Sequence, residues 1–154
     1  MEAQFLIRPA AHADIDELTA LLDLYRQFYA QPADIDVARA FISERLMRQD
    51  SSILVAQYAP RSRLLGFTQL YPTLCSVSAA SIYVLYDLFV LRESRRSGVG
   101  RALLRAAADY AATTDAVRLE LATAKTNHAA QALYRSLGWI RDDVFDRYSL
   151  AIVR

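Results

Sequence analysis

The hydrophobic and polar positions of this chain follow two spacings, one typical of helices and one typical of strands. Apolar residues three and four positions apart predict helices at 14–29, 34–47, 98–112 and 127–137. Branched and aromatic runs, or strict alternation, predict strands at 5–9, 53–58, 64–74, 81–91, 117–123, 139–140 and 148–153. In the second helix, which begins at Asp34 or Asp36, we expect Val37, Phe41 and Leu46 to face inward.

The resulting order, β-α-α-β-β-β-α-β-α-β-β, predicts an α/β fold in one domain over residues 1–154. The strands joined through helix 98–112 should be parallel, because a helix between two strands returns the chain to the end of the sheet at which the first strand began. The hairpins elsewhere should be antiparallel, which gives a mixed, mostly antiparallel sheet with helices on both faces. Pro72 should lie near a sheet edge or a bulge, since proline cannot donate to a ladder.

Composition narrows the classes of function. The formal net charge is +1, so the chain as a whole has no strong positive electrostatic field that would attract nucleic acid or an acidic membrane. One cysteine excludes an internal disulfide and a cysteine metal cluster, and His12 and His128 lack metal-ligand spacing. No leader is visible at Met1–Gln4 and no apolar run has membrane-spanning length, so we expect a cytoplasmic protein without metal. Nine tyrosines and six phenylalanines suggest a pocket or an interface as well as a core.

The most informative segment is residues 95–101, between a predicted strand and a predicted helix, which holds two of the four glycines. A strand, a glycine turn and a helix start present free backbone N–H groups and a positive helix end. Flanking arginines add donors suited to phosphate. The segment therefore predicts a ligand that carries a pyrophosphate.

Two common phosphate loops do not fit this segment. A Walker A loop needs Lys and Ser or Thr after its second glycine, but Arg101 and Ala102 follow Gly100. A dinucleotide fingerprint needs a third Gly or Ala where this chain has Leu103. The pattern Arg95-x-x-Gly98-x-Gly100 instead resembles the acyl-CoA pyrophosphate loop of the GCN5-related N-acetyltransferase (GNAT) family.

Further segments carry the same resemblance in the same order. Asp87–Val90 resembles the family's acidic-Leu-aromatic-Val strand, and Leu119–Leu121 resembles the next strand. Asn127–Trp139 resembles its Asn-x-x-Ala-x-x-Leu-Tyr-x-x-x-Gly-Phe segment, and Phe5–Ala10 its opening strand. The resemblance implies a single GNAT-type domain that moves an acetyl group from acetyl-CoA to a primary amine of a small molecule, by direct attack in a ternary complex. Similarity to the small-amine and diamine branch is looser.

The resemblance also implies roles for particular residues. A splayed parallel strand pair would hold the pantetheine arm through the backbone of Phe89 and Val90, with the Val90 N–H as oxyanion donor. Tyr134 would protonate the leaving sulfur, although its helical spacing taken alone is more typical of a core residue. The remaining cofactor-binding residues would be Arg95, Arg96, Ser97, Gly98, Val99, Gly100, Arg101 and Asn127. Contacts from Lys125 and Arg135 stay open.

Asp87 is the candidate base, with Glu120 as a second carboxylate on the neighbouring strand. Some small-amine members of the family have a glutamate where this chain has Tyr86, which puts direct proton abstraction in doubt. Three roles for Asp87 stay open: action through water, binding of an ammonium group, or bracing of the loop.

The acceptor side is less defined. The resemblance places it between the first two helices and the third and fourth strands, and an aromatic wall there can stack on a cation or only pack. The predicted substrate-binding residues are Tyr25, Phe28, Tyr29, Tyr71 and Tyr86, with Phe41 and Gln69 nearby. A small amine, a polyamine, an amino-acid derivative, an aminoglycoside and a protein N-terminus all remain open. The aromatic excess and the family's pairing habit predict a homodimer.

Two rival functions use the same loop. One is a non-catalytic acyl-CoA-binding or sensor module on the same fold, because a fold alone does not determine function. The other is a nucleotide-binding protein, which would prefer ATP or NAD to CoA.

Overall fold

The computed structural model describes residues 5–154, so the first four residues of the predicted domain lie outside the description. The chain forms two compact units, Met1–Ala122 and Thr123–Arg154. In the first unit the strands are β1 Leu6–Pro9, β2 Ser52–Gln57, β3 Gly66–Cys75, β4 Ala80–Val90 and β5 Leu119–Glu120. The helices are α1 Ile15–Phe28, α2 Ile35–Arg48 and α3 Val99–Ala112, followed in the second unit by α4 His128–Ser136. None of the helices in residues 5–154 is long and apolar enough to cross a membrane.

The five strands lie in chain order in one sheet. Neighbours from β1 to β4 pair antiparallel, and β4 pairs parallel with β5, as the crossover through α3 predicts. The predicted fold class, an α/β fold with a mixed sheet, is therefore confirmed.

Apolar side chains cover both faces of this sheet. On one face, α1 and α2 pack Leu18 and Ile42 against Val55 and Phe67. Leu54 lies on the opposite face, because successive strand residues alternate, and α3 packs against β2, β3 and β4 there. Helices on both faces were predicted from the sequence.

The inward face of α2 differs from the prediction. Ala38 and Ile42 are fully buried, whereas Val37 is 48% exposed and Phe41 37% exposed. The buried face of α2 is therefore centred on Ala38 and Ile42, one residue further along the chain than the predicted positions Val37 and Phe41. Leu46 packs partly against the core, as predicted.

A β-bulge in β4 separates Tyr86 from Asp87. Gln69 of β3 lies opposite Asp87, but Leu70 lies opposite Leu85, so Tyr86 has no partner on β3. A bulge of this kind changes the direction of neighbouring side chains. Tyr86 is 63% exposed and Asp87 only 5%.

Pro72 lies in the part of β3 that pairs with β4 but not with β2. Pairing with β2 ends at Leu70, opposite Ser52, and beyond it only β4 pairs with β3. The proline thus occupies a local edge, as predicted.

The parallel pair is short. β4 and β5 pair only at Tyr83 with Leu119 and Val84 with Glu120, although β4 continues to Val90. Within the described part of the first unit, residues 85–90 therefore have no strand partner on the β5 side.

The second unit contains α4 and an extended C-terminal segment. The Asn127 Oδ1 accepts a hydrogen bond of 3.3 Å from the Ala130 N–H, and Gly138 with φ of 86° follows the helix end, both as expected. Residues 139–140 and 148–153, predicted as strands, have no regular secondary structure. A strand requires a partner backbone, and the described residues of this unit supply none.

Candidate active site

A cavity of about 340 Å³ lies in the first unit among α1, α2, β3 and β4. It brings together three of the predicted acceptor residues, Tyr25, Tyr71 and Tyr86, with the candidate base Asp87. Its other lining residues are Leu22, Arg26, Val37 and Phe41. Val37 and Phe41, which were expected in the core, line this cavity instead.

Asp87 is held in a defined orientation at the cavity wall. The Gln69 Nε2 donates a hydrogen bond of 2.6 Å to the Asp87 Oδ2, and both side chains are buried. Burial raises the pKa of the Asp87 carboxyl, and the hydrogen bond from Gln69 offsets only part of that increase. A carboxylate with a raised pKa accepts a proton more readily at neutral pH, which suits a general base.

The tyrosines around Asp87 form a connected wall. The Tyr25 hydroxyl donates a 3.0 Å hydrogen bond to the backbone carbonyl of Tyr86, the residue that the bulge leaves without a partner on β3. The rings of Tyr71 and Tyr86 meet edge to face with centroids 5.8 Å apart. Burial raises the pKa of Tyr25 and Tyr71, so both phenols are neutral at pH 7. Electron-rich ring faces beside a carboxylate favour a cation.

Phe28 and Tyr29, the two other predicted substrate-binding residues, are not among the residues that line this cavity. The Phe28 ring contacts the Tyr29 ring at a centroid distance of 5.2 Å. The Arg95 guanidinium lies 5.8 Å from the Phe28 ring centroid and 5.5 Å from that of Phe89. At the end of α1 these two rings therefore pack on each other, and Phe28 also supports Arg95.

The glycine loop has the geometry of an anion cradle. Gly98 has φ of +98°, a conformation that favours glycine, and no side chain of the described residues caps α3. The first N–H groups of a helix lack intrahelical partners, so this turn fits a phosphate. Val99 is 1% exposed, which leaves only its backbone for contact with a ligand.

Arg95 is bonded to the end of β4. Its Nε donates a 2.9 Å hydrogen bond to the carbonyl of Val90, and the Ser97 Oγ bonds the carbonyl of Ser94. Arg96 has φ of +61°, unusual for a residue with a side chain. The loop is thus attached to the strand whose backbone is predicted to hold the pantetheine arm.

The remaining predicted site residues, Tyr134 and Asn127, belong to the second unit. Tyr134 is half-buried, and its ring lies 6.0 Å from the ring of Trp139. Their roles in the reaction remain predictions.

Arg26 also lines the cavity but was not among the predicted site residues. Leu22 and Arg26 are four residues apart on α1 and Tyr25 is adjacent, so helical spacing placed Arg26 on the cavity face. A larger cavity, about 440 Å³, lies beside the start of β2 and contains none of the predicted site residues.

Sequence and structure comparisons agree on the family. The model of the acetyltransferase (GNAT) family matches residues 18–139. The uncharacterized N-acetyltransferase YhfO of Bacillus subtilis (strain 168) is 42% identical over 146 residues, covering 95% of this chain and 97% of that protein. A crystal structure of a probable acetyltransferase has a TM-score of 0.89 and 37% identity, covering 97% and 99% of the two chains. The chain belongs to the GNAT acetyltransferase family.

A more distant structure shares the fold alone. It is AAC(6')-Iy in complex with the bisubstrate analog CoA-S-monomethyl-acetylneamine, with a TM-score of 0.79 and 17% identity. It covers 97% of this chain and 99% of its own. Family membership supports acetyl transfer as the general activity of this chain, and GNAT proteins use acetyl-CoA.

Proposed function

We propose that this chain is an acetyl-CoA-dependent N-acetyltransferase that acetylates a primary amine of a small molecule by direct attack in a ternary complex. We treat residues 1–154 as one catalytic domain, because the family match at 18–139 extends through both compact units. The observation that carries the proposal is the position of Asp87. It is buried in an aromatic cavity, three residues before Val90 on the strand that leads to the glycine loop.

Asp87 serves the acceptor amine. An ammonium group has no lone pair, so it must lose a proton before it can attack a thioester. In our proposal the tyrosine wall holds the ammonium form, and the Asp87 carboxylate accepts its proton, directly or through a water molecule. The family resemblance implies a glutamate at the position of Tyr86 in some small-amine members, and we assign the Tyr86 side chain to binding because it lines the cavity.

The other predicted residues serve the acetyl donor. Acetyl-CoA supplies the thioester, and residues 95–101 with Asn127 bind it. The Val90 N–H donates to the oxygen of the acetyl carbonyl as negative charge develops there. The Tyr134 hydroxyl supplies a proton to the departing sulfur. The CoA-containing ligand of AAC(6')-Iy supports this choice of donor.

We further propose a homodimer built through the C-terminal segment, residues 140–153. Its large apolar side chains are highly exposed: Ile140 is 94% exposed, Tyr148 92%, Leu150 87% and Val153 93%. Exposed apolar groups at this density are typical of interaction surfaces. Pairing with a second copy would supply the partner backbone that the predicted strand 148–153 lacks. A cytoplasmic location stays a prediction.

A panel of primary amines incubated with acetyl-CoA tests the proposal. Mass spectrometry should detect an acetylated amine, and free CoA thiol should appear at the same rate. A non-catalytic acyl-CoA module would show a melting-temperature shift with acetyl-CoA but no product with any amine. A nucleotide-binding protein would shift more with ATP or NAD than with CoA.

A further inference from the structure

The cavity that contains Asp87 also contains one positive charge. Arg26 of α1 lines it, and Arg26 and Asp87 are the charged residues among its lining side chains. The Arg26 Nη1 is buried and has no hydrogen-bond partner among the described residues. A guanidinium remains charged at any physiological pH, so a buried and unpartnered nitrogen on it is costly.

The two opposite charges of the cavity do not neutralise each other. No ion pair joins Arg26 to Asp87 among the ion pairs of residues 5–154. Asp87 is instead bonded to the neutral Gln69. The cavity is therefore lined by a carboxylate beside tyrosine rings and, separately, by a guanidinium of which one nitrogen has no hydrogen-bond partner among the described residues.

We propose that the acceptor substrate is a zwitterion, a primary amine that also carries a carboxylate, and that Arg26 binds this carboxylate. Asp87 and the rings of Tyr25, Tyr71 and Tyr86 receive the amine end. One positive and one negative side chain match a ligand with one charge of each sign. A polyamine would place extra positive charge near Arg26. The two negative charges of a phosphate dianion would exceed the one positive charge of the guanidinium. This assignment rests on the proposed acetyltransferase function and specifies its substrate class as amino acids.

The test compares each amino acid with its own carboxamide. The probes are L-amino acids and linear ω-amino acids of two to six carbons, each paired with the amide of the same skeleton. The amide retains the amine and the shape but loses the negative charge. Dissociation constants are measured calorimetrically in the presence of CoA, and kcat/KM is measured with acetyl-CoA.

We expect at least one acid to bind about 10- to 100-fold more tightly than its amide, the usual scale for a hydrogen bond to a charged group. Arg26→Gln should remove this preference, because it should weaken binding of the acid much more than binding of the amide. Arg26→Lys should restore part of it, because the positive charge returns without the planar fork. Arg48→Gln is the matched control: its ion pair with Glu44 is exposed and it does not line the cavity.

Three results would overturn the assignment: no acid binding at millimolar concentration, equal binding of acids and amides, or the same loss for both ligands in Arg26→Gln. Acid-selective binding that depends on Arg26, but without any acetylated product, would instead overturn the proposed catalysis and keep the ligand class.

Discussion

The Gln69 Nε2 donates a 2.6 Å hydrogen bond to the Asp87 Oδ2, between side chains that are both buried. The other end of the Gln69 amide accepts a 2.8 Å hydrogen bond from the Ser51 hydroxyl. This second bond fixes the amide so that its NH₂ group faces the carboxylate. Gln69 is therefore a positioning residue that also stabilises the ionised form of Asp87.

Replacing Gln69 tests this relationship through pH dependence. In Gln69→Leu the ionised Asp87 loses its donor, so the pKa of Asp87 should rise above its already raised value. The acid limb of the kcat/KM profile should then move to higher pH. Ser51→Ala, which leaves the Gln69–Asp87 pair intact, should move it less. An unshifted limb in Gln69→Leu would show that the titrating group is not Asp87.

Asp87→Asn should lower kcat by about 10²- to 10⁴-fold, the usual contribution of a positioned base. The same variant should be more stable than the wild type at pH 7. Folding raises the pKa of Asp87, so the folded chain binds more protons than the unfolded chain. Below its unfolded pKa of about 3.9 the carboxyl is protonated in both states and does not lower the free energy of unfolding. As pH rises through the folded pKa, the carboxyl must ionise in its buried position, and this stability is lost.

Melting curves of Asp87→Asn and wild type between pH 3 and pH 8 measure this difference. The gap should be widest at neutral pH and should close toward acid. A variant that is inactive and also less stable at pH 7 would mean that Asp87 mainly braces the fold.

Gly66→Ala should disturb the strand predicted to hold acetyl-CoA. A Cβ at Gly66 would lie 2.5 Å from the Phe89 carbonyl oxygen and 3.1 Å from the Val90 Cα, and backbone cannot rotate away. We expect a loss of about 1–3 kcal/mol in unfolding free energy, together with a raised KM for acetyl-CoA. Chemical denaturation and initial-rate kinetics measure the two effects.

Gly138→Ala is the control for Gly66→Ala. A Cβ there meets nothing within 4 Å, but φ of +86° makes the substitution strained, at a cost of about 1–2 kcal/mol. It should lower stability without raising the KM for acetyl-CoA. An unchanged KM in Gly66→Ala as well would argue against backbone binding by Phe89 and Val90.

Tyr134→Phe keeps the ring that contacts Trp139 and removes only the hydroxyl. If Tyr134 protonates the leaving sulfur, kcat should fall by on the order of 10²-fold or more while acetyl-CoA affinity stays the same. The decrease in kcat should be smaller with an acyl donor whose leaving group needs no proton. If Tyr134→Phe has the kcat of the wild type under conditions where the chemical step limits the rate, Tyr134 has only a packing role.

The homodimer proposal predicts a molar mass twice that of the chain in light scattering. Leu150 and Ile152 are 87% and 75% exposed, and the double change Leu150→Asp with Ile152→Asp should yield monomers. Val77→Asp is the control, because Val77 is 99% exposed but lies outside the C-terminal segment. A wild-type mass equal to one chain at assay concentration would contradict the proposal.

Local signals in the sequence determined much of this protein. The order of elements followed from apolar spacing, and the turn at Gly98 and the cap at Asn127 followed from residue type. Strand, turn and helix preferences act over a few neighbouring residues, so one chain suffices to detect them. The family resemblance then singled out Asp87, which lies in the cavity with Tyr25, Tyr71 and Tyr86.

Only the tertiary structure decided features that depend on distant partners. The bulge at Tyr86 depends on the register between β3 and β4, and the orphan nitrogen of Arg26 depends on what surrounds α1. Pairing also decided against the strand predicted at 148–153, for which the described residues of its own unit supply no partner strand. Burial and hydrogen-bond pairing depend on groups that are distant in the sequence and come together only in the folded chain. A pattern along one segment therefore predicts a strand or a helix face but does not determine which residues pack against it.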